Sequence, residues 1–442
     1  MNDGGGVNPG RRAARGILLV DVLALLLVVA SGPATYVWLD QSHPSPIAAG
    51  PNRTPVASAS PGASGAAGSP GIGSPAPSSA LIVGDGAWAR TGSLPQAIWA
   101  AASVVLHDGR VMVVGGTSSK ASDHSVATAS IFDTKTGRWI AVTPMLQPRT
   151  LAMAVTLADG SVLVAGGLRD GLPLDTAERY IPETGTWVAA GRLNLPRTQG
   201  TLTLLDDGRV LAAGGGIEGS PGWTATASAE MFDPRSGSWS IVAAMSVARA
   251  NGTATLLRDG TVLVTGGSTT FEGQSGKVTA VTEIYSPKLN SWRKVASMSK
   301  PRYAFGATLL QDGRVLVAGG WYAEPSSDHS HNTAEIYDPT TAKWTAAATM
   351  ATGLAQYSLV GLRDGRVLAL GGVDSTNKIF AASELYDPAS GLWTAAAALA
   401  VPAILPAVQV LADGRVLVAG GALSVAATKT TTVCEMYSPA PR

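Results

Sequence analysis

With 442 residues, the chain is long enough for a membrane segment followed by one large domain. Its 32 Lys and Arg residues nearly balance its 31 Asp and Glu residues, so the overall charge argues against a nucleic acid partner. The single cysteine, Cys434, excludes an intramolecular disulfide and a cysteine-based metal cluster. The 52 glycines, with abundant Ala, Val and Leu, are typical of a β-rich chain with many turns.

The N-terminus has the pattern of a membrane anchor. Residues 1–16 are basic through three arginines, and residues 17–39 form an apolar stretch of 23 residues. That length spans a bilayer, and the arginines predict a cytoplasmic N-terminus. We therefore expect one transmembrane helix at 17–39, acting as a signal anchor. The alternative is a cleaved signal peptide with its apolar core at Ile17–Ala30.

Residues 40–80 are rich in Pro, Ser, Ala and Gly, and Arg53 is the only Lys, Arg, Asp or Glu between 41 and 80. Such a segment cannot bury enough apolar surface to offset the entropy of ordering, so we expect a disordered stalk. With the anchor, it predicts a single-pass protein of the cell membrane whose residues 81–442 lie on the extracytoplasmic side. With a cleaved signal peptide, the protein would be secreted.

From Trp88 onward the chain repeats with a period of about 50 residues, and each repeat has four landmarks. The first is a tryptophan, at Trp88, Trp139, Trp187, Trp239, Trp292, Trp344 and Trp393. The second is an Asp-Gly pair, beginning at Asp108, Asp159, Asp207, Asp259, Asp312, Asp364 and Asp413. The third is a Gly-Gly pair, beginning at Gly115, Gly166, Gly214, Gly266, Gly319, Gly371 and Gly420. The fourth is Glu178, Glu230, Glu283, Glu335, Glu384 or Glu435, with Ser130 in that place in the first unit.

The spacing within each unit predicts a sheet of four strands. Trp and Asp are always 20 residues apart and Asp and the first Gly always 7, whereas the distance from Gly-Gly to Glu varies. Fixed spacing indicates paired strands with tight turns, and the variable segment indicates a surface loop. We name the strands a (before Asp-Gly), b (ending in Gly-Gly), c (with the Glu) and d (with the Trp). Asp-Gly favours a two-residue a–b turn with φ above zero at both positions.

One such sheet cannot bury both of its faces, whereas a ring of seven can, so the predicted fold class is an all-β, seven-bladed β-propeller. The last unit lacks strand d, because the chain ends at Arg442, before the next expected Trp. Trp88, in contrast, lies on a strand d that has no strands a to c before it. We expect the Trp88 strand to complete the last blade and close the ring.

The landmarks resemble the kelch repeat, in which a hydrophobic strand leads into Gly-Gly and is followed by Tyr and Trp at fixed spacing. The pattern "DGRVLVAGG … AEIYDP … W" is most similar to bacterial kelch proteins and to the kelch domain of galactose oxidase-like proteins. The resemblance extends from Trp88 to Arg442. It implies a kelch-type propeller and says little about activity.

The Gly-Gly pairs have two interpretations. A glycine-rich strand end can hold a phosphate, but that requires a helix whose N-terminus faces the anion, and no helical pattern follows these pairs. Close backbone packing with free choice of φ is the favoured interpretation.

Four units carry an arginine ten residues before the Asp, at Arg149, Arg197, Arg249 and Arg302. These arginines and the strand-c glutamates both lie at the strand ends away from the a–b turns, so they are expected to meet. The favoured interpretation is a buried ion pair that orders the blades, and the alternative is a ligand-binding role. Glu384 and Glu435 have no such arginine in their own unit. We therefore expect an arginine arc in units two to five and an apolar arc opposite.

The variable b–c loops hold the other candidate binding residues. The loop "WYAEPSSDHSHN" offers Trp321, Tyr322 and Glu324 for a ligand. Its Asp328, His329 and His331 could bind a divalent metal, although a solvated loop is the favoured interpretation. Exposed aromatic side chains suit sugar stacking or protein contact, and two other b–c loops add them as Trp223 and Phe271.

The sequence favours a binding protein over an enzyme. Galactose oxidase-like enzymes require two tyrosines, two histidines and a Tyr–Cys cross-link around copper, and Cys434 and Tyr357 do not reproduce that pattern. No catalytic residue and no cofactor is implied. We expect the b–c loops of a membrane-tethered propeller to bind an unknown protein or a cell-surface glycan. The alternative is a carbohydrate-active enzyme (hydrolase, lyase, epimerase or oxidase-like) with its site at the channel mouth.

Overall fold

The computed structural model describes residues 86–118, 124–219, 222–270, 278–324, 327–426 and 428–441. Within these ranges, no helix is long and apolar enough to cross a membrane. The predicted basic N-terminus, membrane segment and stalk at 1–80 lie outside the described residues, and they stay predictions.

The described residues form seven four-stranded antiparallel sheets, which we call blades 1 to 7. In blade 1, strands a to d are Ala102–Val105, Val111–Val114, Ala129–Asp133 and Arg138–Val142. In blade 2 they are Met153–Thr156, Val162–Ala165, Thr176–Ile181 and Thr186–Arg192. In blade 3 they are Thr201–Leu204, Val210–Ala213, Ala229–Asp233 and Ser238–Val242. In blade 4 they are Thr253–Leu256, Val262–Thr265, Thr282–Ser286 and Ser291–Val295. In blade 5 they are Gly306–Leu309, Val315–Ala318, Ala334–Asp338 and Lys343–Ala347. In blade 6 they are Ser358–Gly361, Val367–Leu370, Ser383–Asp387 and Leu392–Ala396. Strand a of each blade lies against strand a of the next, so the blades form a ring.

Blade 7 is built from both ends of the propeller. Its strands a, b and c are Ala407–Val410, Val416–Ala419 and Cys434–Ser438, and strand d is Ala87–Arg90. Trp88 lies opposite Tyr437, and the centroids of the two rings are 5.0 Å apart. The predicted seven blades and their closure by the Trp88 strand are therefore confirmed.

Strand b is the buried centre of every blade. All four of its residues are buried in each of the seven blades, whereas strand d is largely exposed. The side chains of strand b alternate between the two faces of the sheet, and each face packs against a neighbouring blade. This is why the residues before Gly-Gly are apolar at every position rather than at every second one.

The a–b turns differ from the predicted two-residue type. In blade 1 the Gly109 N–H donates to Leu106 O and the Leu106 N–H to Arg110 O, which encloses three loop residues. Only the glycine has a positive φ, of 84°. This is a type I turn followed by a left-handed glycine, the usual three-residue hairpin. The sequence analysis missed the Asp108 carboxylate, which accepts hydrogen bonds from the N–H and Nε of Arg110.

The Gly-Gly pairs join neighbouring blades. Both glycines of every pair have a positive φ. A Cβ on Gly166 would lie 2.3 Å from Arg197 O, a backbone atom on the loop that enters the next blade. The Gly167 N–H donates to that same oxygen at 2.9 Å. Close packing, rather than anion binding, accounts for the repeated glycines.

The repeated tryptophan forms a second contact between blades. Its indole Nε1 donates to a carbonyl at the end of strand d in the preceding blade, as Trp239 does to Ala190 O at 3.0 Å. The same bond is made by Trp88, Trp187, Trp292, Trp344 and Trp393. Trp139 is the exception, because among the described residues its Nε1 donates to no backbone carbonyl and lies instead beside the thiol of Cys434 in blade 7.

Candidate functional site

The b–c loops and the d–a loops share one end of the propeller, which we call the b–c face. In every blade, the residue after Gly-Gly pairs through a β-bridge with the residue nine positions before the Asp, as Trp321 does with Tyr303. Three of the b–c loops rise as two-stranded ribbons, with strands Leu168–Arg169 and Leu172–Pro173, Gly216–Gly219 and Gly222–Ala225, and Trp321–Glu324 and Ser327–Ser330. The a–b and c–d turns form the opposite turn face.

A ring of left-handed residues surrounds the channel on the b–c face. These residues lie eight positions before the Asp, have φ of 50° to 60°, and are Ala100, Leu151, Gln199, Asn251, Ala304, Gln356 and Leu405. Five of them donate their backbone N–H to the same residue of the preceding blade, as Asn251 does to Gln199 O at 3.0 Å. All seven side chains are buried. No sequence signal marks this ring, because seven different local sequences adopt one conformation that inter-blade bonds impose.

The two sides of this ring differ in polarity. Leu405, Ala100 and Leu151, from blades 7, 1 and 2, pack in one buried cluster that also includes Val373 of blade 6. Blades 3, 4 and 6 instead contribute the amide side chains of Gln199, Asn251 and Gln356. Three adjacent blades, 7, 1 and 2, are therefore apolar at the ring, whereas the apolar arc that the sequence predicted over units six, seven and one stays a prediction.

The four arginines are buried ion-pair partners. Arg149, Arg197, Arg249 and Arg302 contact Glu178, Glu230, Glu283 and Glu335 at 2.6, 2.5, 2.8 and 3.0 Å. Each guanidinium also donates to the carbonyl of the first glycine of its own Gly-Gly pair, at 2.7 to 2.8 Å. Burial lowers the pKa of all four, while the paired glutamate opposes that shift. The buried ion pair that the sequence favoured is therefore present in all four units, and each arginine side chain is at most 2% exposed, so none of the four is presented at the surface.

The two glutamates without an arginine are also buried. Glu435 accepts the backbone N–H groups of Ala400 and Val401, and Glu384 accepts that of Ala351. Burial raises the pKa of Glu384, and its backbone hydrogen bonds only partly oppose this. In every blade that has one, the strand-c glutamate therefore fixes the d–a loop. None is presented at the surface as a catalytic carboxylate.

Tyr322, His329 and His331 come together on the blade 5 ribbon, and Trp321 precedes Tyr322 on the same strand. Tyr322 stacks on His331 with ring centroids 4.1 Å apart and lies 5.5 Å from the His329 ring. Trp321 and Tyr322 are half-buried, which leaves part of each ring at the surface. Tyr303, half-buried on the adjoining loop, was not singled out from the sequence. Its position nine residues before the Asp is the signal that would have identified it.

Of the three proposed metal ligands, His331 is already committed to another partner. His331 Nε2 lies 3.1 Å from Pro301 O, which can only accept, so this nitrogen carries a proton and is not free for a metal. Burial and then the charge of Arg302 lower the pKa of His331 to about 4. Across the described residues, no three His, Cys, Asp or Glu side chains lie close enough to hold a metal ion. His331 is better explained as a packing residue beneath Tyr322.

The other candidates are only partly described. The backbones of Trp223, Glu324 and Asp328 lie in ribbon strands, and their side chains lie outside what the structure describes. Phe271 is outside the described residues altogether.

The residues compared with a copper oxidase are structural. Tyr357 is buried and its hydroxyl donates to Ala318 O of blade 5 at 2.5 Å. Cys434 is buried in strand c of blade 7, and burial raises the pKa of its thiol to about 11. Cys434 belongs to no group of His, Cys, Asp and Glu metal ligands among the described residues. With the Tyr357 hydroxyl committed to Ala318 O, these two residues do not fit a copper centre.

A kelch motif model matches five stretches that together cover more than half of the chain: residues 99–146, 149–194, 200–246, 249–299 and 302–351. Kelch-like protein 23 of Mus musculus is 26% identical over 251 residues, 57% of this chain and 42% of that protein. The chain thus spans less than half the length of this curated relative.

Two solved structures share the fold. A fungal alcohol oxidase of the AA5 family, in complex with copper, aligns with a TM-score of 0.65 and 17% identity over 80% of this chain and 76% of that one. YjhT aligns with a TM-score of 0.54 and 16% identity over 69% of this chain and 99% of its own. At these identities the likeness concerns the fold alone. The motif matches and the seven-bladed ring together show that the chain belongs to the kelch-repeat family.

Proposed function

We propose that this kelch propeller is a protein-binding module that holds its partner on the b–c face. The observation that carries the proposal is the combination of a buried apolar cluster at the channel mouth with partly buried apolar groups around it. Trp321, Ile379 and Val425 are only partly buried against that cluster, and the half-buried Tyr322 follows Trp321 on the same ribbon. A shallow apolar surface of this kind suits a protein interface better than a deep substrate pocket.

The alternative of a carbohydrate-active enzyme has less support. An acid–base mechanism needs two carboxyl groups that face a pocket. The strand-c glutamates are instead held by loop N–H groups, and four of them also by arginine. A cleft of about 330 Å³ lies at the outer side of blade 2, and Glu178, which lines it, is committed to Arg149.

The described part of the chain enters the propeller at the turn face. Ala87, the first residue of strand d in blade 7, pairs with Ser438, the last residue of strand c, and both lie beside the turns rather than the b–c loops.

We also propose that residues 17–39 anchor the protein in the cell membrane with the propeller outside. Protease treatment of intact cells tests this: the anchor predicts an accessible propeller that stays with the membrane fraction, and a secreted, shortened chain would contradict it.

Photo-crosslinking from the surface tests the binding proposal. Benzoylphenylalanine replaces Tyr322 on the b–c face of the full chain, and a matched control replaces Leu392, which is 57% exposed beside the c–d turn of blade 6. We expect ultraviolet light to link the Tyr322 variant, and not the Leu392 variant, to a protein. Equal crosslinking from both positions, or an adduct that glycosidase removes and protease does not, would contradict the proposal.

A further inference from the structure

The cleft on the outer side of blade 2 lies between two fixed walls. One wall is the d–a loop that leads from blade 1 into blade 2, which contributes Leu146 and Gln147, and the other is formed by strands c and d of blade 2. The carboxylate of Glu178 accepts the backbone N–H groups of Leu146 and Gln147, and these bonds hold the loop against the sheet. The cleft has a volume of about 330 Å³, which is within the range of small-molecule sites.

A bulge in strand d shapes the sheet wall of the cleft. Between the pairs Thr176–Arg192 and Glu178–Ala189, strand d has two residues and strand c has one, and Gly191 takes up the difference with a φ of 73°. The c–d register of blades 1 and 3 to 6 has no such shift, and their strand d has five residues instead of seven. The longer strand brings Arg192 to the cleft, where 68% of its side chain is exposed.

The apolar part of the cleft is specific to blade 2. In blades 2 to 7 the same position of the d–a loop donates its backbone N–H to the strand-c glutamate, and the residues there are Leu146, Asn194, Ser246, Ser299, Ala351 and Ala400. Leu146 is the only large apolar residue of this set, and it is 59% exposed, so packing of the core does not explain it. Opposite the glutamate on strand d, blade 2 has Ala189, whereas Ile241 and Lys294 occupy that position in blades 3 and 4. A large and a small apolar side chain therefore line the cleft together.

The side-chain acceptors of the cleft are already used, whereas two of its donor groups are not. Glu178 accepts from the loop and from its paired arginine, and the Thr176 hydroxyl donates to Gln147 Oε1 at 3.1 Å. Among the described residues, Gln147 Nε2 has no hydrogen-bond partner. Arg192 contacts both oxygens of Asp175 at 2.7 Å through Nη1 alone, which leaves its Nε and Nη2 for a second acceptor. Unused N–H donors beside an apolar space match a ligand with acceptor oxygens, and a guanidinium matches a carboxylate best.

We propose that this cleft binds an aliphatic carboxylate, in which a branched apolar group of about the size of a leucine side chain is joined to a carboxyl group. The apolar group packs between Leu146 and Ala189, and the carboxylate accepts from Arg192 and Gln147. Two sources offer this chemistry: a free short-chain carboxylic acid, and the free carboxyl end of a polypeptide whose last residue is leucine. The cleft belongs to blade 2 and does not depend on the function proposed for the b–c face.

Isothermal titration calorimetry on the full chain tests the proposal with two carboxylates, isocaproate and the peptide Gly-Ser-Gly-Ser-Leu with a free carboxyl end. The amide of each is its matched probe. We expect a carboxylate to bind and its amide to bind about tenfold or more weakly. Ala189→Ile gives blade 2 the residue that blade 3 has at this position, and it should weaken binding by about tenfold or more because it fills the apolar space. Arg192→Gln should also weaken the carboxylate, by about tenfold, and leave its amide within about twofold.

Matched controls make the same changes elsewhere on strand d. Ala346→Ile changes the equivalent position of blade 5 and Arg138→Gln an exposed arginine of blade 1, and each should leave affinity within about twofold. Circular dichroism confirms that each variant is folded. Either source supports the proposal: binding of isocaproate identifies a free acid, and binding of the peptide alone identifies a polypeptide end. The proposal is overturned if neither carboxylate binds, if the amides bind as tightly as the acids, or if Ala189→Ile and Ala346→Ile have equal effects.

Discussion

Replacing Arg197 with methionine should strongly destabilise the propeller. The change removes the contact with Glu230 at 2.5 Å and the bonds from the guanidinium to Gly214 O and Ser228 O. Glu230 would keep the backbone N–H groups of Asn194 and Leu195, but it is 1% exposed and would lack a cation. Removing one partner of a buried pair costs about 3–5 kcal/mol. With the Asn194 side-chain amide, three N–H bonds to Glu230 remain, and they put our expectation near the lower end, at about 3 kcal/mol.

Urea unfolding followed by circular dichroism measures this loss. The double variant R197M/E230Q supplies the control, because it removes the uncompensated charge while keeping an oxygen that can accept from the loop. We expect it to be more stable than R197M by more than about 1 kcal/mol. A loss below about 1 kcal/mol for R197M, or no rescue in the double variant, would show that the ion pair does not order the blades.

Three further changes test the inter-blade contacts and the stacked histidine. Gly166→Ala should destabilise the protein more than Gly109→Ala, as measured by urea unfolding. Both glycines have a positive φ, but only at Gly166 would the new Cβ meet a backbone oxygen. At Gly109 no atom lies within 4 Å of the new Cβ. Trp239→Phe should cost about 1 kcal/mol more than Trp139→Phe, because only Trp239 loses a hydrogen bond to a carbonyl, and equal losses would contradict this. The pKa of His331 in the folded protein is about 4, below its ordinary value of 6.5. Between these two pH values the unfolded chain therefore binds more protons than the folded one, so the free energy of unfolding falls as the pH decreases from 6.5 towards 4. His331→Gln should flatten that dependence, which urea midpoints at pH 7 and pH 5 measure, and an unchanged slope would refute the assignment.

The number of blades and the closure of the ring could be predicted because local features encode them. Each unit repeats its turn residues and apolar strand at fixed spacing, and the missing last Trp leaves only the Trp88 strand to complete blade 7. The Arg–Glu pairs were predictable for a similar reason, since both residues recur at strand ends that must lie together. For the b–c face, the sequence identified the loop but not Tyr303, which reaches Trp321 only through a bridge between two loops.

Tertiary structure decided which repeated residues are accessible. Arg197, on a d–a loop, is buried against Glu230, whereas Arg293, on strand d of blade 4, is exposed. Arg197 is buried by Gly214, Ser228 and Glu230 of its own unit, 17 to 33 positions away. The left-handed ring and the tryptophan bonds instead arise from contacts between adjacent blades, about 50 positions apart, which leave no pattern within one repeat. The sequence by itself determined the blade and the number of its copies, and only the closed ring determined which surfaces a partner can reach.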